Sequence, residues 1–243
     1  MRMLVFSDIH GSTTGTMTTM ELCQKHKPDL VVICGDITNF DPLEWAEGYL
    51  SRIRTLVSDR TESQSPGRVA AVPGNCDPKD LPNIFGRTGI IDLHRRKQEI
   101  GGIVFGGAGG ADYTPFNTPF EFEDDTFSQW LRPLMEENMI MVTHAPAHGY
   151  LDTNYQGSHR GSNSIRAIVD QWRPILMLSG HMHEARGIES HNGTVFVNPG
   201  PAKDGFGALV ELLTPEELGT GRGTEPIDWK RIRESVEARL LQV

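Results

Sequence analysis

Five short groups of residues have the types and spacing for metal chemistry: Ser7-Asp8-Ile9-His10, Gly35-Asp36, Gly74-Asn75-Cys76-Asp77, Thr143-His144-Ala145-Pro146 and Gly180-His181-Met182-His183. They offer Asp8, His10, Asp36, Asn75, His144, His181 and His183 as ligands. Seven donors of carboxylate, amide and imidazole type exceed what one tetrahedral ion takes. They suit two cations of higher coordination sharing one carboxylate. Oxygen and nitrogen donors without thiolate fit Mn, Fe, Ni, Co or Zn, and the choice among these stays open, with Mn the metal expected to serve in vitro. In extended chain, residues two apart point the same way, so Asp8 with His10 and His181 with His183 are expected to converge. A glycine precedes Asp36, Asn75 and His181, where it permits a sharp exit from a strand. Each group alone has an ordinary structural explanation, an Asp capping a strand end or a His solvated in a loop. Five of them at the ends of apolar strands point to a metal centre.

The elements that must position these groups are short apolar runs alternating with amphipathic ones. Met3–Ser7, Leu30–Cys34 and Val69–Val72 read as fully buried strands, with helices from the polar loop to about His26 and over Pro42–Ser58. Such strands separated by helices indicate parallel βαβ units covered on both faces, with ligands at the carboxyl edge. Ile90–Leu93, Gln98–Ile100 and Ile103–Phe105 read as antiparallel strands. A helix is expected over Asp124–Met135, a strand over Met139–Thr143, a loop over the site from Ala145 to His159, a helix over Gly161–Gln171 and a strand at Ile175–Leu178. Ala185–Glu189, Thr194–Asn198 and Gly207–Leu212 close the strand pattern. The chain is thus read as one α/β domain over residues 1–218, followed by a linker, Gly219–Pro226, and an amphipathic helix, Ile227–Leu241, docked on the domain or on a second subunit.

The ordered set Asp-x-His, Gly-Asp, Gly-Asn-x-Asp, a strand ending in His, and Gly-His-x-His resembles the calcineurin-like metallophosphoesterase superfamily over roughly residues 3–212. The Gly74-Asn75-Cys76-Asp77 reading resembles a branch of small prokaryotic phosphodiesterases. The resemblance implies a four-layer αββα sandwich of two mixed sheets flanked by helices, with a dinuclear site at one edge. It implies one metal on Asp8, His10, Asp36 and His183, and a second on Asp36, Asn75, His144 and His181, with Asp36 bridging. Asn198-Pro199-Gly200 is similar to a turn in small prokaryotic members. Much of the family has His where this chain has Cys76, and that His assists the phosphate. A neutral thiol is a poor proton donor to an alkoxide, so esters with stable leaving groups are expected to be favoured.

The implied activity is hydrolysis of small phosphate esters, nucleotide-derived diesters among them, by a metal-bridging hydroxide attacking phosphorus in line. Asp36, Asn75 and Cys76 would sit at the reacting centre, with Asn75 also contacting substrate. His148, His159 and Arg160 are candidates for substrate contact, and either His for a proton donor in place of the missing one. Asp77 reads either as a carboxylate orienting a ligand or as a turn residue before Pro78; His26, His94 and His191 read as surface residues.

Charge and length exclude several classes. Lys plus Arg number 23 and Asp plus Glu 32, a formal charge of −9, which disfavours duplex nucleic acid. A nuclease acting on single-stranded ends and a non-enzymatic scaffold on the same fold remain the alternatives, the second opposed by the complete ligand set. No apolar run approaches the roughly 20 residues that cross a bilayer, and three irregularly spaced cysteines describe no disulfide framework. A cytoplasmic protein is expected, a homo-oligomer among the possibilities.

Overall fold

The computed structural model describes residues 1–59, 67–221 and 226–243. The chain opens as β1 (Arg2–Phe6), α1 (Thr13–His26), β2 (Leu30–Cys34), α2 (Leu43–Ser58) and β3 (Arg68–Val72). It continues through α3 (Pro82–Thr88), β4 (Ile91–Asp92), β5 (Arg96–Ile100), β6 (Ile103–Ala108), α4 (Asp125–Leu131) and β7 (Ile140–Thr143). The rest is α5 (Asn163–Trp172), β8 (Leu176–Leu178), β9 (Gly187–His191), β10 (Thr194–Asn198), β11 (Phe206–Glu211), α6 (Trp229–Glu234) and β12 (Glu237–Gln242).

The strands form two six-stranded sheets, ordered β12-β11-β1-β2-β3-β4 and β5-β6-β7-β8-β10-β9. In the first, β1 to β4 run parallel, β11 runs antiparallel to β1, and β12, antiparallel to β11, runs the same way as β1. In the second, β6, β7, β8 and β10 run parallel and the edge strands β5 and β9 antiparallel. Each is mixed, as the resemblance implied.

The continuous apolar character of the central strands follows from burial on both faces. Met3, Val5, Val32 and Ala70 of the first sheet meet Phe105, Val142, Leu178 and Val197 of the second in one core. The alternate residues Leu4, Phe6, Ile33 and Ala71 pack outward on Leu22 of α1, Leu50 and Ile53 of α2, and Phe85 of α3. Met141, Met177 and Phe196 pack outward on Phe127 and Leu131 of α4 and on Ile165 and Ile168 of α5. The four layers are therefore helix, sheet, sheet, helix, with the carboxyl ends of both sets of parallel strands at one edge.

Three expectations need correction. The Ile90–Leu93 segment is not antiparallel: β4 runs parallel to β3, with Ile91 opposite Ala70, because the seven-residue helix α3 crosses between them. That helix was missed, being short and interrupted by Gly86. The C-terminal helix ends at Glu234, and β12 pairs antiparallel with β11 over six residues. Ile232, Val236 and Leu240 recur every four residues, a spacing that a helix face and an alternating strand both satisfy. The strand wins because it pairs the otherwise open edge of β11 and lays Val236, Ala238 and Leu240 on the inter-sheet core. This C-terminal segment is thus integral to the domain, and the expected boundary at residue 218 is not an edge of the fold; part of the linker, 222–225, lies outside the described residues. Finally, His94 is not a surface residue. Its ring is enclosed by Phe120 and Trp130 at 5.4 and 5.2 Å, and Nδ1 accepts from the Gly109 amide at 3.0 Å.

Candidate metal centre

Each sequence-derived ligand lies within three residues of the carboxyl end of a parallel strand, except His10, four residues past β1, and His183, which starts a 3-10 turn, His183–Ala185. The convergence expected of extended chain arises differently. Asp8, His10, Asp36 and His181 all have left-handed backbone, with φ of 56°, 51°, 50° and 66°. Non-glycine residues there cost about 1 kcal/mol or more each, and the cost is met by cross-loop bonds. The Asp8 amide donates to Gly35 at 3.0 Å, His10 to Asp36 at 2.9 Å and Gly11 to Ile37 at 3.0 Å. The loops after β1 and β2 are thereby zipped together. Gly35 has φ +91°, and a Cβ there would meet the Gly74 amide at 2.6 Å. At Gly74 the need is space, since a Cβ would fall on the Asp36 carboxylate.

The side chains converge from both sheets. Asp8 Oδ1 lies 3.2 Å from His183 Nε2 and 3.7 Å from His10 Nε2. Asp36 Oδ2 lies 3.6 Å from His10 Nε2, and its Oδ1 3.5 Å from His144 Nε2. His10 and His183 meet Nε2 to Nε2 at 3.3 Å. Asn75 Oδ1 is 2.8 Å from His144 Nε2, and the His181 ring stands edge-on to His144, centroids 5.0 Å apart. All seven expected ligands are brought together around Asp36 and His144.

Several contacts ask for a cation. His144 Nδ1 lies 2.7 Å from the Cys34 carbonyl, which can only accept, so Nδ1 carries a hydrogen. Asn75 Nδ2 donates to Thr118 Oγ1 at 2.9 Å, so its Oδ1 faces His144. Two lone pairs therefore point at one another across 2.8 Å, and a proton or a metal must lie between them. Asp8 Oδ1 is buried and accepts no hydrogen bond of good geometry; only the imidazole nitrogens of His183 and His10, at 3.2 and 3.7 Å, face it, an arrangement costly for a carboxylate unless a cation joins them. The donor set of two carboxylates, an amide and four imidazoles fits divalent first-row metals.

The electrostatics agree. Burial opposes charge throughout, yet the imidazoles around Asp8 and Asp36 overcome it and hold both carboxyls below their ordinary range. Burial likewise opposes a charged His144, but Asp36 and Asp8 lift its pKa to about 9, and Asp8 raises His183. Burial prevails at His10, which is lowered, and at His181, which falls to about 4. The carboxylates attract positive charge, and a proton on His144 occupies the place a divalent cation can take.

A surrounding set of groups fixes the ligands. Asp77, for which both readings were open, receives the amides of Ile37, Thr38 and Gly74 at 3.1, 2.7 and 2.7 Å and the Thr38 hydroxyl at 2.9 Å. It braces the Asp36 loop against the Asn75 loop rather than orienting an imidazole. Asn198, of the Asn-Pro-Gly turn, donates through Nδ2 to the Met182 carbonyl at 2.8 Å and so pins the His181–His183 segment. Thr118, which orients Asn75, donates its hydroxyl to Glu121. Sequence reading missed Thr118, Glu121 and Lys203. Lys203 stands close enough for its charge to disfavour a further positive charge on His10 and on His183; a Thr or Lys in a loop carries no spacing signal of its own.

Cys76 is buried beside the centre, its amide 2.8 Å from Asp36 Oδ1 and its sulfur within 4.8 Å of donor atoms of His10 and Asp36. Burial first, then the Asp36 charge, push its thiol far above the ordinary range, keeping it neutral. His148, His159 and Arg160 share the loop after His144. His159 Nδ1 lies 2.6 Å from Oδ1 of the fully buried Asp152, and the His148 ring is 5.4 Å from that of His159. Arg160 bonds Asp152 through its amide, which donates to the Asp152 carbonyl at 3.0 Å. Asp152 Oδ2 takes the Gly149 and Gly161 amides at 3.0 and 2.8 Å, and the loop tip is tied to the centre by the Tyr155 amide donating to Glu184, beside His183, at 3.2 Å.

Residues 1–185 match the family described as calcineurin-like phosphoesterase. A protein of uncharacterised activity from Methanocaldococcus jannaschii is 30% identical over 209 residues, covering 83% of this chain and 88% of that protein. Among solved structures, one from Thermus thermophilus aligns with a TM-score of 0.65 at 15% identity, over 99% of this chain and 98% of its own. An archaeal phosphodiesterase aligns with a TM-score of 0.54 at 14% identity, over 100% of both chains. At these identities the two structures are similar in fold.

Proposed function

The chain belongs to the calcineurin-like phosphoesterase family, metal-dependent hydrolases, and from that premise we propose that it hydrolyses small phosphodiesters at a centre of two divalent cations shared through Asp36. The observation that carries this reading is the pair of opposed acceptors, His144 Nε2 and Asn75 Oδ1, together with the buried Asp8 oxygen that only the His183 and His10 imidazoles face. Asp8, His10, Asp36 and His183 would hold one cation, and Asp36, Asn75, His144 and His181 the other. When bound, the cations supply Lewis acidity toward the phosphoryl oxygens and lower the pKa of water.

The protein's own groups do the rest. Asp8 and Asp36 balance the positive charge, and the neutral amide of Asn75 adds none. Lys203 puts a further positive charge beside His10 and His183, where a phosphoryl oxygen would gain from it. Since the Cys76 thiol is neutral and a weak donor, the leaving oxygen needs another source of a proton. His159 is suited to it: Asp152 holds Nδ1–H, which leaves Nε2 to carry and release the proton. Exchange of His159 for Gln should then slow esters with alkyl leaving groups at least about ten-fold, while p-nitrophenyl esters, whose leaving group departs without protonation, change little. Equal losses on both classes would remove His159 from that role.

The activity itself is tested with Mn²⁺-loaded protein on bis-p-nitrophenyl phosphate and p-nitrophenyl phosphate. The expected result is metal-dependent turnover with the diester preferred. Turnover of neither, under any of the metals Mn, Fe, Ni, Co and Zn, would contradict the reading.

A further inference from the structure

The cation proposed for Asp8, His10, Asp36 and His183 would draw its ligands from both sheets. Asp8 and His10 follow β1 and Asp36 follows β2, in the first sheet, whereas His183 follows β8 in the second. Its site therefore depends on how the sheets are held against one another at the ligand edge. Apolar packing between the layers is non-directional, so a polar tie between the sheets at that edge bears on the geometry.

Arg186 is such a tie. It directly follows the His183–Ala185 turn and precedes β9, the edge strand of the second sheet. Its Nη2 donates at 3.0 Å to the carbonyl of Leu241 in β12, the edge strand of the first sheet. The guanidinium also lies over the ring of Phe206, which opens β11 of the first sheet, 4.4 Å from the centroid. On its own side, Nε donates to the Pro199 carbonyl at 3.2 Å. Pro199 belongs to the turn in which Asn198 pins Met182, between His181 and His183. The turn runs on to Ala202 and Lys203, whose amides donate to the carbonyls of Ser7 and Asp8 at 2.8 and 3.2 Å. Burial opposes the charge of Arg186, and its bonds go to neutral carbonyls. The planar guanidinium holds its donors in a fixed fork, which suits it to set two directions at once.

Resting on the two-cation reading above, we infer that Arg186 is a positioning residue for the metal centre. It clasps β12 to the His181–His183 segment, so that the last residues of the chain set the affinity of the cation held between the sheets. Its action runs through the backbone of the two turns and involves no contact with substrate.

The test is a double-mutant cycle read by calorimetric titration of the full chain with Mn²⁺. Arg186→Met keeps an apolar stem and removes both bonds. Deletion of residues 241–243 removes the Leu241 acceptor and leaves Arg186 in place. Each should weaken one of two Mn²⁺ sites roughly ten-fold, and the combination should be no weaker than Arg186→Met alone, because one clasp is broken once. Arg233→Met is the control for mere loosening. Arg233 bonds the Arg173 and Gly193 carbonyls at 2.6 and 3.0 Å before β8 and β10, at the opposite edge, and its loss should leave both Mn²⁺ affinities at the parent's value. Parental Mn²⁺ affinities in Arg186→Met, losses that add in the combined variant, or an equal loss in Arg233→Met would each overturn the clasp. Should Arg186→Met not fold, the deletion alone decides: its Mn²⁺ affinity falls, or the clasp is refuted. Where the parent binds two Mn²⁺ ions, these failures refute the clasp and leave the two-cation reading standing. A parent that binds fewer than two refutes that reading and the clasp with it.

Discussion

The amide of Asn75 could face either way, and its direction is settled outside the centre, by the acceptor Thr118 Oγ1 and the carboxylate of Glu121 behind it. Groups that fix a ligand's orientation typically change metal affinity roughly 10- to 100-fold when lost. Thr118→Val keeps the volume and removes the acceptor, so the Asn75 amide is free to turn Nδ2 toward His144. The expected outcome is a roughly 10- to 100-fold weaker second Mn²⁺ site by titration, with Thr118→Ser close to the parent. Two equal, unweakened sites in the valine variant would show that Asn75 holds its direction unaided. The same scale shows what residue types convey. Asp8, His10, Asp36, His144, His181 and His183 could be picked out because five such groups coincide at the ends of apolar strands, although each alone has an ordinary explanation. Thr118, Lys203 and Asp152 could not, since their roles depend on neighbours that spacing along the chain does not reveal.

At the scale of elements, the central strands were legible because both faces are buried and the residues are β-branched. The mechanism of convergence was not. Asp8 and His10 meet in one place through left-handed turns zipped to the Asp36 loop, and spacing by two does not distinguish that from extended chain. The C-terminal segment failed for a similar reason, as a four-residue recurrence satisfies two periods and only the open edge of β11 decides between them. That decision has a consequence for stability. Deleting residues 236–243 removes a six-residue ladder and bares an edge strand, a loss of about 3 kcal/mol or more. The melting temperature should fall by roughly 10 °C, with aggregation. A fall under about 2 °C would mean that the segment is an appendage after all.

For the molecule as a whole, burial of His94 sets a pH dependence apart from the metal centre. Burial first, and then Arg95 and Arg96, lower its pKa to about 4, against about 6.5 unfolded. The unfolded chain therefore binds the proton more readily. The contribution to stability is complete above about pH 6.5 and is lost as the pH falls through about 4, about 3 kcal/mol at most. Urea midpoints in chelator should show the parent losing roughly 2 kcal/mol more between about pH 7 and pH 5 than His94→Phe. Parallel slopes for the two proteins would mean that His94 is protonated in the fold. Among the described residues no helix is long and apolar enough to cross a membrane, and both layers of helices are occupied in covering the sheets.

The central claim is that residues from five strand ends hold a pair of cations, and anomalous scattering from a crystal grown with Mn²⁺ tests it without reference to any substrate. The account predicts two peaks roughly 3.5–4 Å apart, with Asp36 touching both, Asp8, His10 and His183 on one, and Asn75, His144 and His181 on the other. A single peak, or manganese bound away from Asp36, would contradict it.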